Sequence, residues 1–346
     1  MNASASSARC ALSTAATTAW MASSSAVADV MPAILQPRVW FRSTVTPLEF
    51  GYRQAPCPAK AFRRRTGLGC TRKRGAMWKI CTTCGVEHDA AAEVCRICAD
   101  ERQWVPAEGQ QWTTLAELAA TEHRVEVREL EPDLFGLTTA PNIGIGQQAL
   151  LVRTPEGNLL WDPTAYVDDE AVRRVRELGD AVAIVASHPH MYGVQVAWSH
   201  ALGGVPVLVA APDMEWVARP DPVIRPWSGQ VDLLPGVILR QVGGHFPGSA
   251  VVHWSAGAGG RGVLFSADTI KANPDRVTVS FLRSYPNRIP LSAAVVDRIT
   301  KSVEEFEFDR LYDNFGMTID TDARAAVRRS ADRHIAWVRG DFDHLT

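Results

Sequence analysis

No window of this sequence approaches the roughly 18 uninterrupted apolar residues that a membrane-spanning helix needs, which excludes a helical transmembrane protein. A secretory leader is not expected either, because Ala, Ser and Thr break every apolar run near the amino end. Internal repeats are missing. Basic charge is scarce beyond residue 76. Residues 1–76 hold eleven Lys and Arg against two acids, leaving 25 Lys and Arg against 36 Asp and Glu for the rest, so a formal charge of −2 conceals a main body near −11. Phosphate contacts rely on clustered Lys and Arg, and this imbalance argues against a nucleic-acid surface.

What is present suffices for a full core. The 346 residues are 46% hydrophobic and 21% charged, the balance of one large globular domain with appendages. A soluble, cytoplasmic protein acting on a small-molecule substrate is the expectation. Residues 1–76 are first rich in Ser, Ala and Thr, then basic among Gly and Pro, with Arg63-Arg64-Arg65 and Arg72-Lys73-Arg74. Composition of this kind packs no core. The segment is expected to be a disordered basic extension, or a mis-called start with translation beginning at Met77.

Three of the seven cysteines, Cys10, Cys57 and Cys70, are scattered through that segment, whereas the other four form Cys81-Thr-Thr-Cys84 and Cys95-Arg-Ile-Cys98 with ten residues between the pairs. Each C-x-x-C turn aims two thiolates at one point, and two such turns supply the tetrahedral sulfur set that Zn²⁺ prefers. A metal knuckle over residues 77–104 follows, with iron in a rubredoxin-like site as the competing ion and two disulfides as the plainer alternative. Gly85 suits the tight turn after the first pair. A loop this short has almost no core, so the ion is expected to supply most of its folding free energy. His88, between the cysteines, reads as a solvated loop residue.

The remainder, residues 115–340, alternates strand and helix patterns. Strands are predicted at 124–130, 149–154 and 158–161, with Pro155-Glu156-Gly157 as a hairpin turn. A helix over 168–178 presents Val172, Val175 and Leu178 on one face, ends at Gly179, and feeds a buried strand at 181–186. Later strands are predicted at 206–210, 231–234, 237–242, 250–254, 262–266 and 276–281. Helices over 292–306, with Val295, Ile299, Val303 and Phe306 inward, and over 321–338 close the chain.

Three strand ends carry chemistry. The strand ending at Ser187 runs into His188-Pro189-His190-Met191-Tyr192-Gly193, strand 237–242 ends in Gly243-Gly244-His245-Phe246-Pro247-Gly248-Ser249, and strand 262–266 ends in Ala267-Asp268-Thr269. Loops beyond strand ends are where functional groups collect. Three imidazoles and a carboxylate make a first shell for one ion. A lone histidine near a strand end is more often structural, and His200, His253 and His334 are read that way.

These segments, in this order, resemble the metallo-β-lactamase superfamily, whose members carry an HxHxDH loop, a Gly-His-x-Pro-Gly-Ser segment and a later Gly-Asp-Thr-like aspartate. The resemblance covers roughly residues 115–320 and implies an α/β fold, a four-layer αββα sandwich with the metal at one edge between the sheets. Two departures stand out. Tyr192-Gly193 replaces the Asp-His of the loop, and Asn314-Phe315-Gly316 stands where a last histidine is expected. The second metal site has lost its ligands, so the resemblance implies one Zn²⁺ on His188, His190 and His245, with Asp268 as fourth ligand and as the group that orients the attacking water. Tyr192 is the other candidate for that task, or a donor to a developing oxyanion.

The leading expectation is a metal-dependent hydrolase attacking an ester, thioester, lactone or similar bond with metal-bound hydroxide. An alternative takes His188, His245 and Asp268 as a two-histidine, one-carboxylate face for Fe(II), the persulfide-dioxygenase-like reading that the same resemblance brings in, with iron possible in the knuckle too. A third makes the degenerate site structural and the protein a non-catalytic scaffold. Two proline-stiffened segments, Arg219–Trp227 and Tyr285–Arg288, read first as rigid surface connections and otherwise as pocket walls, with Arg225 or Arg288 as partners for an anionic group.

Overall fold

The computed structural model describes residues 78–346. The expectations for residues 1–76, with Cys10, Cys57, Cys70 and both basic clusters, lie outside the described residues.

The chain opens with a small antiparallel sheet, β1 (Lys79–Cys81) flanked by β2 (Glu87–His88) and β3 (Trp112–Thr113), followed by helix α1 (Leu115–Ala119). Strands β4 (Arg124–Glu131), β5 (Leu134–Ala140), β6 (Ala149–Thr154) and β7 (Gly157–Trp161) then run as an antiparallel meander. The turn between β6 and β7 falls on Pro155-Glu156, as its residues predict. Helix α2 (Asp169–Leu178) starts where the Asp168 side chain accepts the Ala171 N–H, and it buries Ala171, Val172 and Val175. It returns the chain to β8 (Ala181–Val185), parallel to β7. Helix α3 (Gln195–Ala201), β9 (Val207–Ala210) and β10 (Ile224–Trp227) complete a seven-stranded sheet in the order β10-β9-β8-β7-β6-β5-β4.

A second, six-stranded sheet follows. Strands β11 (Gln230–Leu234), β12 (Val237–Gln241), β13 (Ala250–Trp254) and β14 (Val263–Phe265) are antiparallel neighbours. Two small hairpins intervene, β15 (Lys271–Ala272) with β16 (Val279–Ser280) and β17 (Leu282–Ser284) with β18 (Ile289–Pro290). After helix α4 (Ala293–Val303), β19 (Arg310–Tyr312) joins β14 in parallel and β20 (Thr318–Ile319) closes the edge, before helix α5 (Ala323–Arg339).

Alternation along the strands sorts side chains into three apolar layers. Leu150, Val152, Leu159, Trp161 and Val185 from the first sheet meet Leu239, Val252, Val263 and Phe265 from the second, forming the core between the sheets. Val175 of α2 and Trp198 of α3 cover the outer face of the first sheet, and Val296, Ile299 and Val303 of α4 with Ala326, Val327 and Ala331 of α5 cover that of the second. This is the four-layer αββα sandwich. No helix among the described residues is long and apolar enough to cross a membrane.

Several elements differ from the sequence pattern. Residues 276–281, predicted as a sheet strand, supply only β16, because Asn273 and Thr278 close a turn on which Asp275 accepts two backbone N–H groups. Helix α4 turns Val296 rather than Val295 fully inward. The segment Arg219–Trp227, read as a surface connection or pocket-wall loop, instead yields the edge strand β10, with Arg225 exposed.

The four-cysteine segment is not the coreless loop its length suggests. Ile80, Val86 and Ile97 share one apolar cluster with Val194 and Trp198 of the sandwich. His88, read as a solvated loop residue, is 2% exposed. Its position on β2 turns the ring edge-on to Trp112, 5.0 Å away. Glu87 lies beside it and is also buried, where its carboxylate accepts the Val196 N–H at 2.6 Å and pairs with Arg219 at 2.6 Å. Burial pushes the Glu87 carboxyl up, and Arg219 with the Val196 donor opposes that.

Gly85 makes the closest approach of the two parts. Its φ is +80° and a Cβ there would stand 2.5 Å from Ala165 Cβ. Gly85→Ala therefore combines left-handed strain with a collision against the buried Ala165 methyl, and we expect a loss of roughly 2–4 kcal/mol in stability, measured by urea unfolding. A loss below 0.5 kcal/mol would mean that the knuckle is not held against the sandwich in this way.

Candidate metal centre

His188 follows β8, and the turn Pro189–Met191 brings His190 to the same side two residues later. His245, in the loop after β12, and Asp268, after β14, both come from the second sheet. All four are at most 5% exposed, and one ligand atom from each lies within 4.8 Å of every other. Residues up to 80 positions apart thus converge at the sandwich edge.

The donor atoms are set by what lies behind them. His245 Nδ1–H donates to the Leu282 carbonyl at 3.1 Å, which leaves Nε2 as a lone pair. Nδ1 of His188 lies 2.9 Å from Ser187 Oγ, and Ser187 donates from Oγ (3.1 Å) and from its backbone N–H (2.6 Å) to Asp162. An Asp162–Ser187–His188 chain therefore orients the first imidazole, with Nε2 facing the cluster. Burial pushes the Asp162 carboxyl up, against the pull of the two Ser187 donors.

The spacings fit a small tetrahedral ion. Bonds of 2.0–2.1 Å imply ligand-to-ligand edges of about 3.3 Å. His245 Nε2 lies 3.2 Å from His190 Nδ1, and His188 Nε2 lies 3.4 Å from Asp268 Oδ2. His188 Nε2 and Asp268 Oδ1 are buried with no hydrogen-bond partner, a costly arrangement for protein alone and the ordinary one for a ligand set. The electrostatics agree. Burial, reinforced by the neighbouring imidazoles, pushes His190 far below the usual histidine range and His245 to about 3, so both are neutral donors. Burial would raise Asp268, but the His188 imidazole 3.4 Å from its Oδ2, with His245 and the Lys271 ammonium nearby, outweighs it and holds the carboxyl at about 2.

A second cluster comprises Cys81, Cys84, Cys95 and Cys98, all buried and none in a disulfide. The separations Cys81 to Cys98 and Cys84 to Cys95 are both 3.6 Å. A disulfide would need about 2.05 Å, whereas four sulfurs at 2.3 Å from one ion stand about 3.8 Å apart. Gln110, a residue of no evident function in the sequence, donates from Nε2 to Cys81 Sγ at 3.1 Å and accepts the Cys95 N–H on Oε1 at 3.2 Å. Hydrogen bonding from Cys81 drives the Cys95 thiol far down, that from Cys84 lowers Cys81 to about 6, and burial drives Cys84 up. Four thiols at this separation share protons until an ion replaces them.

A cavity of about 560 Å³ opens onto the histidine cluster, lined by His190, His245, Asp268, Ile145, Phe315 and Tyr285 among others. Tyr192 is not brought there. Its ring is buried in the sandwich and its hydroxyl donates to the Asp213 carbonyl at 3.1 Å. Neither Arg225 nor Arg288 lines the cavity, whereas Tyr285 and Pro286 do. Lys271 does as well. Its ammonium stands 3.2 Å from Asp313, 3.8 Å from Asp268 and 3.8 Å from the centre of the Phe315 ring. Lys271 carried no sequence signal beyond its place three residues after Asp268.

Position 193 shows why the second metal site is gone. Gly193 has φ +47°, and a Cβ there would strike the Pro163 and Thr164 carbonyls, so no ligand side chain fits. Asn314, at the place of the last expected histidine, is fully buried with Nδ2 2.6 Å from Met191 Sδ.

Comparison with known proteins decides the family. Residues 143–312 match the family model of the metallo-beta-lactamase superfamily. The chain is also 40% identical over 270 residues, 77% of this chain and 98% of the relative, to the uncharacterized protein YmaE of Bacillus subtilis strain 168. The chain belongs to the metallo-beta-lactamase superfamily. Solved structures similar to it include a metallo-beta-lactamase from Erythrobacter litoralis, 16% identical with TM-score 0.43 over 64% of this chain and 99% of that one. A flavodiiron core from Synechocystis is 12% identical with TM-score 0.43 over 62% of each chain. Within this superfamily chain, His200, His253 and His334 lie apart from the cluster, on Asp221, the Glu307 carbonyl and the Leu291 carbonyl.

Proposed function

We propose that this chain is a metal-dependent hydrolase with one divalent ion, zinc, on His188, His190, His245 and Asp268, and a second zinc on the four cysteines. The observation that carries the reading is the convergence of three buried imidazoles and a carboxylate beside a cavity, with His188 Nε2 and Asp268 Oδ1 unpartnered. Zinc held by the three imidazoles would keep a position open for water beside Asp268 and lower that water's pKa to about 7, supplying a nucleophile near neutral pH. The protein's part is orientation. Ser187 and Leu282 fix the imidazoles, and Asp268, ionised and in reach of the cavity, accepts the proton of the attacking water. Tyr192, turned away, has no share. The walls are largely apolar and include the half-buried cation Lys271, so the favoured substrate is a small ester, thioester or lactone with an apolar body and an anionic group near the scissile bond.

The test is turnover of chromogenic esters, thioesters and lactones by the full chain, alongside elemental analysis. Assayed at saturating zinc, where the three imidazoles still hold the ion, Asp268→Asn should lose roughly 10²–10⁴-fold in kcat. Absence of turnover on every bond class with both sites filled would overturn the hydrolase reading. Iron with a visible absorbance band would favour the Fe(II) oxidoreductase, and metal on the cysteines alone the scaffold.

A further inference from the structure

The cysteine cluster and the histidine cluster are joined by one short segment. Ala99 donates its N–H to the Cys95 carbonyl at 3.0 Å and Gln103 to the Asp100 carbonyl at 3.0 Å, so residues 95–103 form one continuous turn. Arg102, four residues after Cys98, leaves that turn toward the histidines. Its side chain is 7% exposed, and both oxygens of Asp100 take its Nε and Nη2, at 2.5 Å and 2.9 Å. The free Nη1 donates to the His245 carbonyl at 3.3 Å.

The guanidinium also lies 3.7 Å from the centre of the Phe246 ring. That ring is a hub of the histidine site, with centroids 5.7 Å from His188, 4.9 Å from His190 and 5.3 Å from His245. A second route runs through the neighbouring residue. The Glu101 carboxylate pairs with Arg283 at 2.6 Å and its carbonyl accepts Asn287 Nδ2 at 2.7 Å. Those two partners lie within the β17–β18 hairpin, whose Leu282 carbonyl holds His245 Nδ1. Residues 100–102 therefore restrain His245 from its backbone, from the ring beside it and from its imidazole acceptor.

We propose that Arg102 is a positioning residue of the histidine site, and that through it the filling of the cysteine cluster sets how tightly the histidine cluster holds its ion. This rests on the reading of the histidine cluster as a metal site. A planar fork fixed on Asp100 is directional, and a buried charge that near a cation site is otherwise unfavourable. Outer groups that orient ligands are worth 10–100-fold in metal affinity. Loss of the cysteine-held ion would loosen residues 95–103 and release His245.

The experiment titrates the full chain with zinc against a chromogenic chelator, for wild type, Arg102→Met and Arg102→Lys, and records visible spectra with cobalt in the weaker site. Wild type should bind two zincs. Arg102→Met should keep the cysteine-held zinc, bind the other 10–100-fold more weakly and shift the cobalt bands. Arg102→Lys, which keeps the charge but not the fork, should recover only part of the loss, and it serves if the methionine variant does not fold. Two zincs with affinity within twofold of wild type in the folded variants would overturn this inference and leave the hydrolase reading standing. One zinc per wild-type chain, on the cysteines, would overturn both.

Discussion

His245→Ala is expected to halve the metal content, from about two ions per chain to about one, and to abolish hydrolysis. Zinc sites of four protein ligands hold their ion with roughly 10–16 kcal/mol. One ligand is then worth about 3–4 kcal/mol, a factor of about 10²–10³ in affinity. The remaining ligands cannot close the gap, because His188 and Asp268 are fixed from behind by Ser187 and Lys271 and the ring of His190 is wedged against Phe246. The variant should still fold, since the imidazole sits at the sandwich edge rather than in the core between the sheets. Elemental analysis of protein dialysed against a weak chelator reads the outcome. Two ions per chain in the variant would show that His245 is no ligand.

Cys84→Ser should produce the largest loss of stability. Cys84 is fully buried among Ile80, Val86 and Cys95, in the cluster that continues into Val194 and Trp198. Replacing it removes one ligand and places a hydroxyl in that apolar setting, each change destabilising by itself. A combined loss of about 3–4 kcal/mol corresponds to a drop of roughly 10 °C in Tm for a domain of this size. Far-ultraviolet circular dichroism during a thermal scan measures it. Because the knuckle packs on the sandwich, the whole transition should move as one. A separate early transition, with the main one unchanged, would show that the knuckle is an independent unit.

The candidate site was legible in the sequence to the extent that its chemistry is local. His188 and His190 are two residues apart, Gly244–Ser249 is a continuous segment, and each C-x-x-C turn declares itself by spacing. The strands that carry them are apolar runs between turn residues, so β8, β12, β13 and β14 were anticipated near their true positions. What escaped depends on neighbours distant in the chain. Strand β5 contains Gly136, a residue that weakens strand propensity, and is held by its pairing with β4 and β6. Strand β10 carries Pro226, which an edge position tolerates. Tyr192 lies two residues after His190, but the turn at Pro189–Met191 points its ring into the sandwich. Arg102 and Gln110 looked like ordinary loop residues, since their partners at His245 and Cys81 lie 143 and 29 positions away. His88 misled because loop composition hides the pairing of β1 and β2 that buries it.

The central claim is that imidazoles from two strand ends, one in each sheet, and an aspartate from a third strand end surround one ion. Anomalous diffraction from crystals of the full chain, collected at the zinc edge, tests it most directly. The account predicts two peaks, one about 2.0–2.1 Å from nitrogen atoms of His188, His190 and His245 and the other about 2.3 Å from four sulfurs. A peak at the sulfurs alone, with the three imidazoles hydrogen-bonded to water or to each other, would contradict it.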